Sequence, residues 1–224
     1  VTSTGDNGDT RQVWQPNDTV RAIAYDTPII GWRRRSVNTL RLWRSRAERY
    51  LQLERFNAGD HLGAVAEAVK ADSISRVLYP ADVTEAGQEL RLRQEYFFVS
   101  ASLQDLLARH LHHYPLERLP DMVAIQLNDT HPAIAVAELM RLLVDEHDVE
   151  WAEAWRLTVA TLSYTNHTLL PEALESWPVS LMERLLPRHM QIIYLINAEH
   201  IDALRARDIH DFGLLRAVSL IEED

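Results

Sequence analysis

The sequence predicts an α/β fold built around a parallel sheet, on three observations. Residues 122–127 (MVAIQL) form a nearly continuous apolar run, the pattern of a strand covered on both faces. The run ends in the polar turn Asn128-Asp129-Thr130-His131-Pro132, after which Ile134, Ala137, Met140 and Val144 recur at helical spacing. Along the rest of the chain helical periods outnumber strand periods, so the fold is helix-rich. The 224 residues, 46% of them apolar, suit one soluble globular domain that buries roughly 70% of its unfolded surface without metal or disulfide staples.

The first residues, VTSTGDNGDTRQ, have neither an initiator Met nor the charged-then-apolar profile of a signal peptide, and are expected to be a cut edge. Val20 to Ala24 and Val37 to Trp43 alternate apolar and polar residues, the period of half-buried strands, with a turn expected at Asp26-Thr27-Pro28 and Gly31. Nine arginines fall between Arg21 and Arg55, Arg33, Arg34 and Arg35 consecutively, against Asp26, Glu48 and Glu54. With no glycine cradle beside it, the run reads as a solvated basic face. Leu62, Val65, Ala66 and Val69 then mark a short amphipathic helix toward Ser73, and Tyr79-Pro80-Ala81-Asp82 breaks it.

From Glu85 to His113 apolar residues at Leu92, Tyr96, Val99, Leu103 and Leu106 mark a helix of roughly 40 Å. The His110, His112, His113 cluster at its end has no carboxylate partner nearby and is not expected to hold metal. After the strand–turn–helix unit at 122–144, a helix over 150–162 leads into Ser163-Tyr164-Thr165-Asn166-His167-Thr168. Pro171-Glu172 is expected to open a further helical stretch that ends near Trp177-Pro178. Met190, Ile193, Asn197, Ile201 and Leu204 mark a last long helix.

Composition excludes several classes of function. A formal charge of −10 repels a polyphosphate backbone, so nucleic acid is not an expected partner. No apolar run approaches the ~20 residues that span a bilayer. The absence of cysteine removes thiol catalysis and thiolate zinc sites and fits a cytoplasmic protein. Lys70 is the single lysine, hence the single candidate for Schiff-base chemistry.

In open α/β sheets ligands gather outside the carboxyl ends of the strands, and Asp129, His131 and His167 fall on such turns. A helix N-terminus there suits an anionic Asp129 beside a neutral His131, a pair able to bind sugar hydroxyls. The same residues also suit plain structure, with Asp129 or Thr130 capping the helix and a histidine satisfied in the core. A metal-dependent hydrolase on Asp129, His131 and His167 would use the Asp-x-His spacing, but no second acidic cluster accompanies it and no metal is expected. Two classes of function stay open from the residues alone: a polar-ligand enzyme lobe and a binding or scaffold module.

The segments YDTPIIGWRRRSVNTLRLW (25–43), SRVLYP (75–80), ELRLRQEYF (89–97), LQDLL (103–107), VAIQLNDTHPAIAVAELMRLLVD (123–145) and YTNHTLLPEALESWPVSLMERLLPRHMQIIYLIN (164–197) closely resemble α-glucan phosphorylases. The resemblance runs from about Tyr25 to Asp224, and RLWRSRA, GQELRLRQEYFF and the single lysine look like a bacterial member. It implies a helix-rich, Rossmann-like lobe of the two-lobed glycosyltransferase-B type of fold. Residues 1–224 would be one incomplete domain, the later part of the N-terminal lobe. The implied activity is attack by phosphate on the non-reducing end of an α-1,4-glucan, glycogen or maltodextrin, releasing glucose 1-phosphate with retained configuration.

The family's cofactor is pyridoxal phosphate, held by a lysine of the C-terminal lobe in a Gly-Thr-Gly-Asn-Met-Lys context that this chain lacks. No bound cofactor is therefore expected here, and the isolated chain is expected to be inactive. The resemblance assigns His167 to the sugar being transferred, with Asn166 beside it. It places Asp129 and His131 along the neighbouring pocket, Tyr79 against the adjoining glucose ring, and Asp82 in a mobile gate loop at 81–87. That loop departs from the animal pattern Asn-Asp-Asn-Phe-Phe, because Val83, Thr84 and Glu85 replace the second Asn and both aromatics. Ala108 and Arg109 stand where the animal nucleotide site has two arginines, so no AMP activation is expected. The helix at 61–75 resembles the tower helix through which phosphorylase homodimers meet. The alternative is a freestanding glucan-binding or scaffold module without chemistry.

Overall fold

The computed structural model describes residues 2–4, 10–12, 14–170 and 174–222. Two short strands, β1 (Thr2–Thr4) and β2 (Thr10–Gln12), pair antiparallel at the start of the chain. The chain forms two compact units. One is Gln15–Leu106; the other joins Val1–Trp14 to Leu107–Asp224. No helix among the described residues is long and apolar enough to cross a membrane.

In the unit Gln15–Leu106, β3 (Val20–Ile30) and β4 (Val37–Ala47) form an antiparallel hairpin, with Val20 opposite Ala47 and Ile30 opposite Val37. The turn expected at Asp26-Thr27-Pro28 is strand instead, and the chain reverses only at Gly31–Ser36, where Gly31 donates to the Ser36 carbonyl at 2.9 Å. Pro28 is tolerated because every strand of a two-stranded sheet is an edge. The apolar alternation is present, but Ile23, Tyr25, Leu40 and Leu42 are exposed rather than half-buried. Among the described residues β3 and β4 pair only with each other.

Beyond α1 (Leu53–Asn57), a 3-10 turn at Gly63–Val65 leads into α2 (Ala66–Ile74), so the expected helix at 61–75 is shorter at its start. Its buried face is also different. Ala64, Ala68, Ala71 and Ile74 are covered, whereas Leu62 and Val69 are 84% and 64% exposed. Small side chains win because α2 approaches β4 closely: the buried Ser45 hydroxyl donates to the Ala71 carbonyl at 2.6 Å, and the Ser45 N–H donates to Ser75 Oγ at 3.0 Å. Arg46 closes the same contact on Asp72 at 2.7 Å.

The long helix α3 (Glu85–Leu111) buries Leu92, Phe97, Val99, Leu103 and Leu107, with Tyr96 and Leu106 half-buried. It stops two residues before the expected His113, where Tyr114 N–H bonds back to the His110 carbonyl ahead of Pro115. The His110 ring lies 2.9 Å from the Pro115 carbonyl, while His112 and His113 are exposed and stack on each other.

In the other unit, α4 (Leu119–Met122) precedes β5 (Ile125–Asn128). The apolar run expected as strand from Met122 thus begins as helix, because Pro120 stands in the first turn of α4 and favours a helical start. There follow α5 (Ala135–Arg141), a π-helical turn at Leu142–Glu146, and α6 (Trp151–Thr161). The chain then passes directly into β6 (Leu162–Thr165), which pairs parallel with β5. Ser163–Thr165, into which the expected helix over 150–162 leads, is therefore strand. The result is the small parallel sheet between helices that the apolar run predicts.

The helix expected to open at Pro171-Glu172 begins in residues outside the described ones, and 174–178 is not helical. The next helices are α7 (Val179–Leu185), α8 (Pro187–Arg205) and α9 (Phe212–Val218).

The core of this unit contains Leu119, Leu139, Met140, Leu143, Leu157 and Ile192, and within it lies a charged cluster. Glu138 accepts from His189 Nε2 at 2.6 Å and from Arg141 at 2.8 and 3.1 Å; Glu138 and His189 are fully buried. Arg141 also reaches Glu146 at 2.9 Å, and the Trp14 ring packs edge-on to His189 and beneath the Arg141 guanidinium. Burial alone would raise the Glu138 carboxyl, but the hydrogen bonds from His189 and Arg141 outweigh it and hold the group at about 2. Arg188 adds a two-bond pair to Asp145, tying α8 to the π-helical turn at 2.8 Å.

Candidate functional site at the ends of β5 and β6

Parallel pairing of Ile125 with Leu162 and of Asn128 with Thr165 brings the carboxyl ends of β5 and β6 side by side. The two polar segments that leave them, 128–131 and 165–168, are thereby neighbours at the end of the sheet where α/β proteins place ligands. Asp129 continues the ladder by donating its N–H to the Thr165 carbonyl at 2.8 Å, then turns with φ 61°. Asp and Asn tolerate that left-handed conformation better than most residues.

The turn aims the Asp129 carboxylate across the strand ends, where Oδ1 accepts the N–H of His167 at 2.8 Å. The His167 ring comes within 3.3 Å of Asn128 Oδ1, and Gln126 Nε2 donates to Thr165 Oγ1 at 2.8 Å. Asn166 bends the segment locally, its Oδ1 accepting the Thr168 N–H at 3.0 Å. Glu175 fastens the β5 side: its N–H and Oε2 both lie 3.3 Å from Thr130 Oγ1, and Oε1 lies 3.2 Å from His131 Nδ1.

Helix capping by Asp129 or Thr130 is not what these residues do. The residue before α5 is Ile134, without a side-chain cap, and both polar side chains bond elsewhere. Asp129, His131 and His167 do not converge as a three-ligand metal group among the described residues. Asp129 meets a main-chain N–H of His167, leaving the ring for other partners. Gln126, Asn128 and Glu175 complete the site and carry no separate sequence signal, although Glu175 lies three residues beyond Pro171-Glu172 in a segment with a strong family pattern.

Tyr79 and Asp82 belong to the unit Gln15–Leu106 and form a second cluster there. Tyr79 has φ 53°, donates its N–H to Gln94 Oε1 at 3.0 Å, and lies under the Arg91 guanidinium, 5.4 Å from the ring centre. Arg91 pairs with Asp82 at 3.1 Å and with Glu95 at 3.4 Å. Of the loop expected at 81–87, Glu85, Ala86 and Gly87 are the first turn of α3, which Thr84 caps through the Gly87 N–H at 3.1 Å.

The sequence matches the family described as Carbohydrate phosphorylase over residues 1–224. The chain belongs to the carbohydrate phosphorylase family. It is 50% identical over 221 residues to the glycogen phosphorylase of Synechocystis sp., covering 98% of this chain and 26% of that protein. The glycogen phosphorylase of Haemophilus influenzae is 52% identical over 212 residues, and the brain form of Homo sapiens 50% over 219, each covering 94% of this chain and 26% of the relative. The chain thus spans about a quarter of the length of these phosphorylases and is a fragment by comparison with them.

Proposed function

We propose that residues 1–224 are the sugar-contacting part of an α-1,4-glucan phosphorylase, the later part of the N-terminal lobe of a two-lobed glycosyltransferase-B fold. The observation that carries this reading is the Asp129–His167 clasp at the paired strand ends, in a chain that matches the family throughout. In the reaction, phosphate forms a bond to the anomeric carbon of the terminal glucose, the bond to the glycosidic oxygen breaks, and that oxygen gains a proton as it leaves. The protein's part in residues 1–224 is orientation. His167, held by Asp129 through its N–H, presents its ring to the glucosyl unit. With Asn128 Oδ1 accepting from Nε2, the Nδ1 edge is left to accept from a sugar hydroxyl. Fixed polar groups of this kind lower the barrier by alignment and by favouring the charge that develops on the sugar.

Asn166 lies beside His167 at the transferred sugar, Asp129 and His131 line the acceptor side, Tyr79 packs on a glucose ring through its apolar face, and Asp82 lies in the gate segment. The family's pyridoxal phosphate supplies a phosphate group beside the attacking phosphate when bound, but residues 1–224 do not fit it. Lys70, the one lysine, pairs with Asp18 at 2.7 Å at an exposed position, in a cavity where Asp18, Glu48, Glu67 and Glu89 set four carboxylates against Lys70, Arg49 and Arg93, a balance that disfavours a phosphorylated ring. The cofactor lysine therefore lies elsewhere in the parent, and the isolated chain is inactive. The exposed Val69 on the outer face of α2, with the exposed Leu62 ahead of the 3-10 turn that leads into it, supports a homodimer of the parent through this helix.

The test is kinetic. His167→Ala in the full-length protein lowers turnover with maltoheptaose and phosphate by at least about tenfold with little change in glucan binding; unchanged turnover removes the role of His167.

A further inference from the structure

We infer that one face of α3, carrying Gly87, Arg91 and Gln94, is the template that sets the pose of the Tyr79–Asp82 segment, with Gln94 as its positioning residue. The inference rests on the reading of Tyr79 as a residue that packs on glucan. Positions 87, 91 and 94 lie four and three residues apart and so share one side of the helix. Each holds a different point of the segment.

Gln94 is 3% exposed in the middle of α3, and its amide is committed to main chain. Oε1 accepts the Tyr79 N–H at 3.0 Å, while Nε2 donates to the carbonyls of Ile74 at 2.7 Å and Val77 at 2.8 Å. One side chain thereby ties the end of α2 to Tyr79 and satisfies three polar groups of an irregular corner. Tyr79 holds φ 53°, a conformation that costs a residue with a Cβ, at the point where this bond fastens its N–H.

Arg91, one helical turn earlier, pairs with Asp82 and lies over one face of the Tyr79 ring, setting the ring's orientation. At Gly87 a Cβ would collide with the Ala81 carbonyl, so the segment lies directly on the first turn of α3. Anchors at 79, 81 and 82 leave the ring half exposed with one face taken by Arg91, and a glucose ring is expected on the other.

The experiment compares Gln94→Met, Gly87→Ala and Tyr79→Ala in the full-length protein, with KM for maltoheptaose, KM for phosphate and kcat read separately. A mispositioned Tyr79 raises the glucan KM about tenfold in all three while the phosphate KM stays within about twofold. Gln94→Glu keeps the acceptor for Tyr79 but loses both donors, and its glucan KM falls between that of the parent and that of Gln94→Met. Less active protein with both KM values unchanged in Gln94→Met and Gly87→Ala would make these residues structural only and overturn the inference. That result beside a raised KM in Tyr79→Ala leaves the sugar-packing reading standing; an unchanged KM in Tyr79→Ala overturns that reading itself. If Gln94→Met does not fold, Gly87→Ala decides, since it disturbs the segment without touching the bonds of Gln94.

Discussion

Asp129 Oδ1 accepts the main-chain N–H of His167 at 2.8 Å, joining residues 38 positions apart at the ends of two parallel strands. The bond makes the position of His167 a property of the β5–β6 register. It also explains why a residue in a left-handed turn is aspartate rather than glycine: the turn needs the conformation and the strand end needs the acceptor.

Replacing Asp129 separates the two requirements. Asp129→Asn retains an acceptor oxygen and tolerance of φ 61°, and is expected to keep most of the stability. Asp129→Ala loses both and is expected to cost about 1–3 kcal/mol in urea unfolding of residues 1–224. Equal losses for the two variants would contradict the clasp.

The buried Glu138 predicts a dependence on acid. Its folded value, about 2, lies below the ordinary 4.5, so its contribution is present above about pH 4.5 and is lost as pH falls toward 2. The shift corresponds to about 3 kcal/mol as an order of magnitude. Glu138→Gln should therefore destabilise strongly at pH 7, and its deficit relative to the parent should narrow between pH 5 and pH 2. Urea midpoints across that range check it; a constant deficit would mean that the ionised carboxylate is not the stabilising form.

Ser45 tests the close approach of α2 to β4. Ser45→Ala leaves the volume nearly unchanged but removes the donor to Ala71, and is expected to cost about 1–2 kcal/mol. Ser45→Val adds volume at a site with no exposed surface and should cost more. Thermal unfolding of the two variants gives the order.

Lys70→Met bears on where the cofactor resides. In the full-length protein the substitution should leave pyridoxal phosphate absorbance and turnover near the parent values, since Lys70 pairs with Asp18. Loss of the cofactor band would place the Schiff base here.

The strand, polar turn and helix around 125–141 are legible in the sequence because the apolar run and its turn are contiguous and the period changes sharply between them. The partnership of Asp129 with His167 is not, because it depends on the register of strands far apart in the chain. Glu175 is hidden for the same reason, its partner Thr130 being 45 positions away. The buried face of 62–74 is hidden for a different reason: Leu62 and Val69 are more hydrophobic than the alanines, yet the approach to Ser45 leaves room for only a small side chain at Ala71. Gln94 sits in ELRLRQEYF, where its letter is indistinguishable from a solvated position. Only burial and three main-chain bonds set it apart.

The most direct test is glucose 1-phosphate release from maltoheptaose and phosphate, measured side by side for the full-length protein and for residues 1–224. Product is expected from the full-length protein and none from residues 1–224. Product from residues 1–224 alone, or none from the full-length protein supplied with pyridoxal phosphate, would contradict the proposed function.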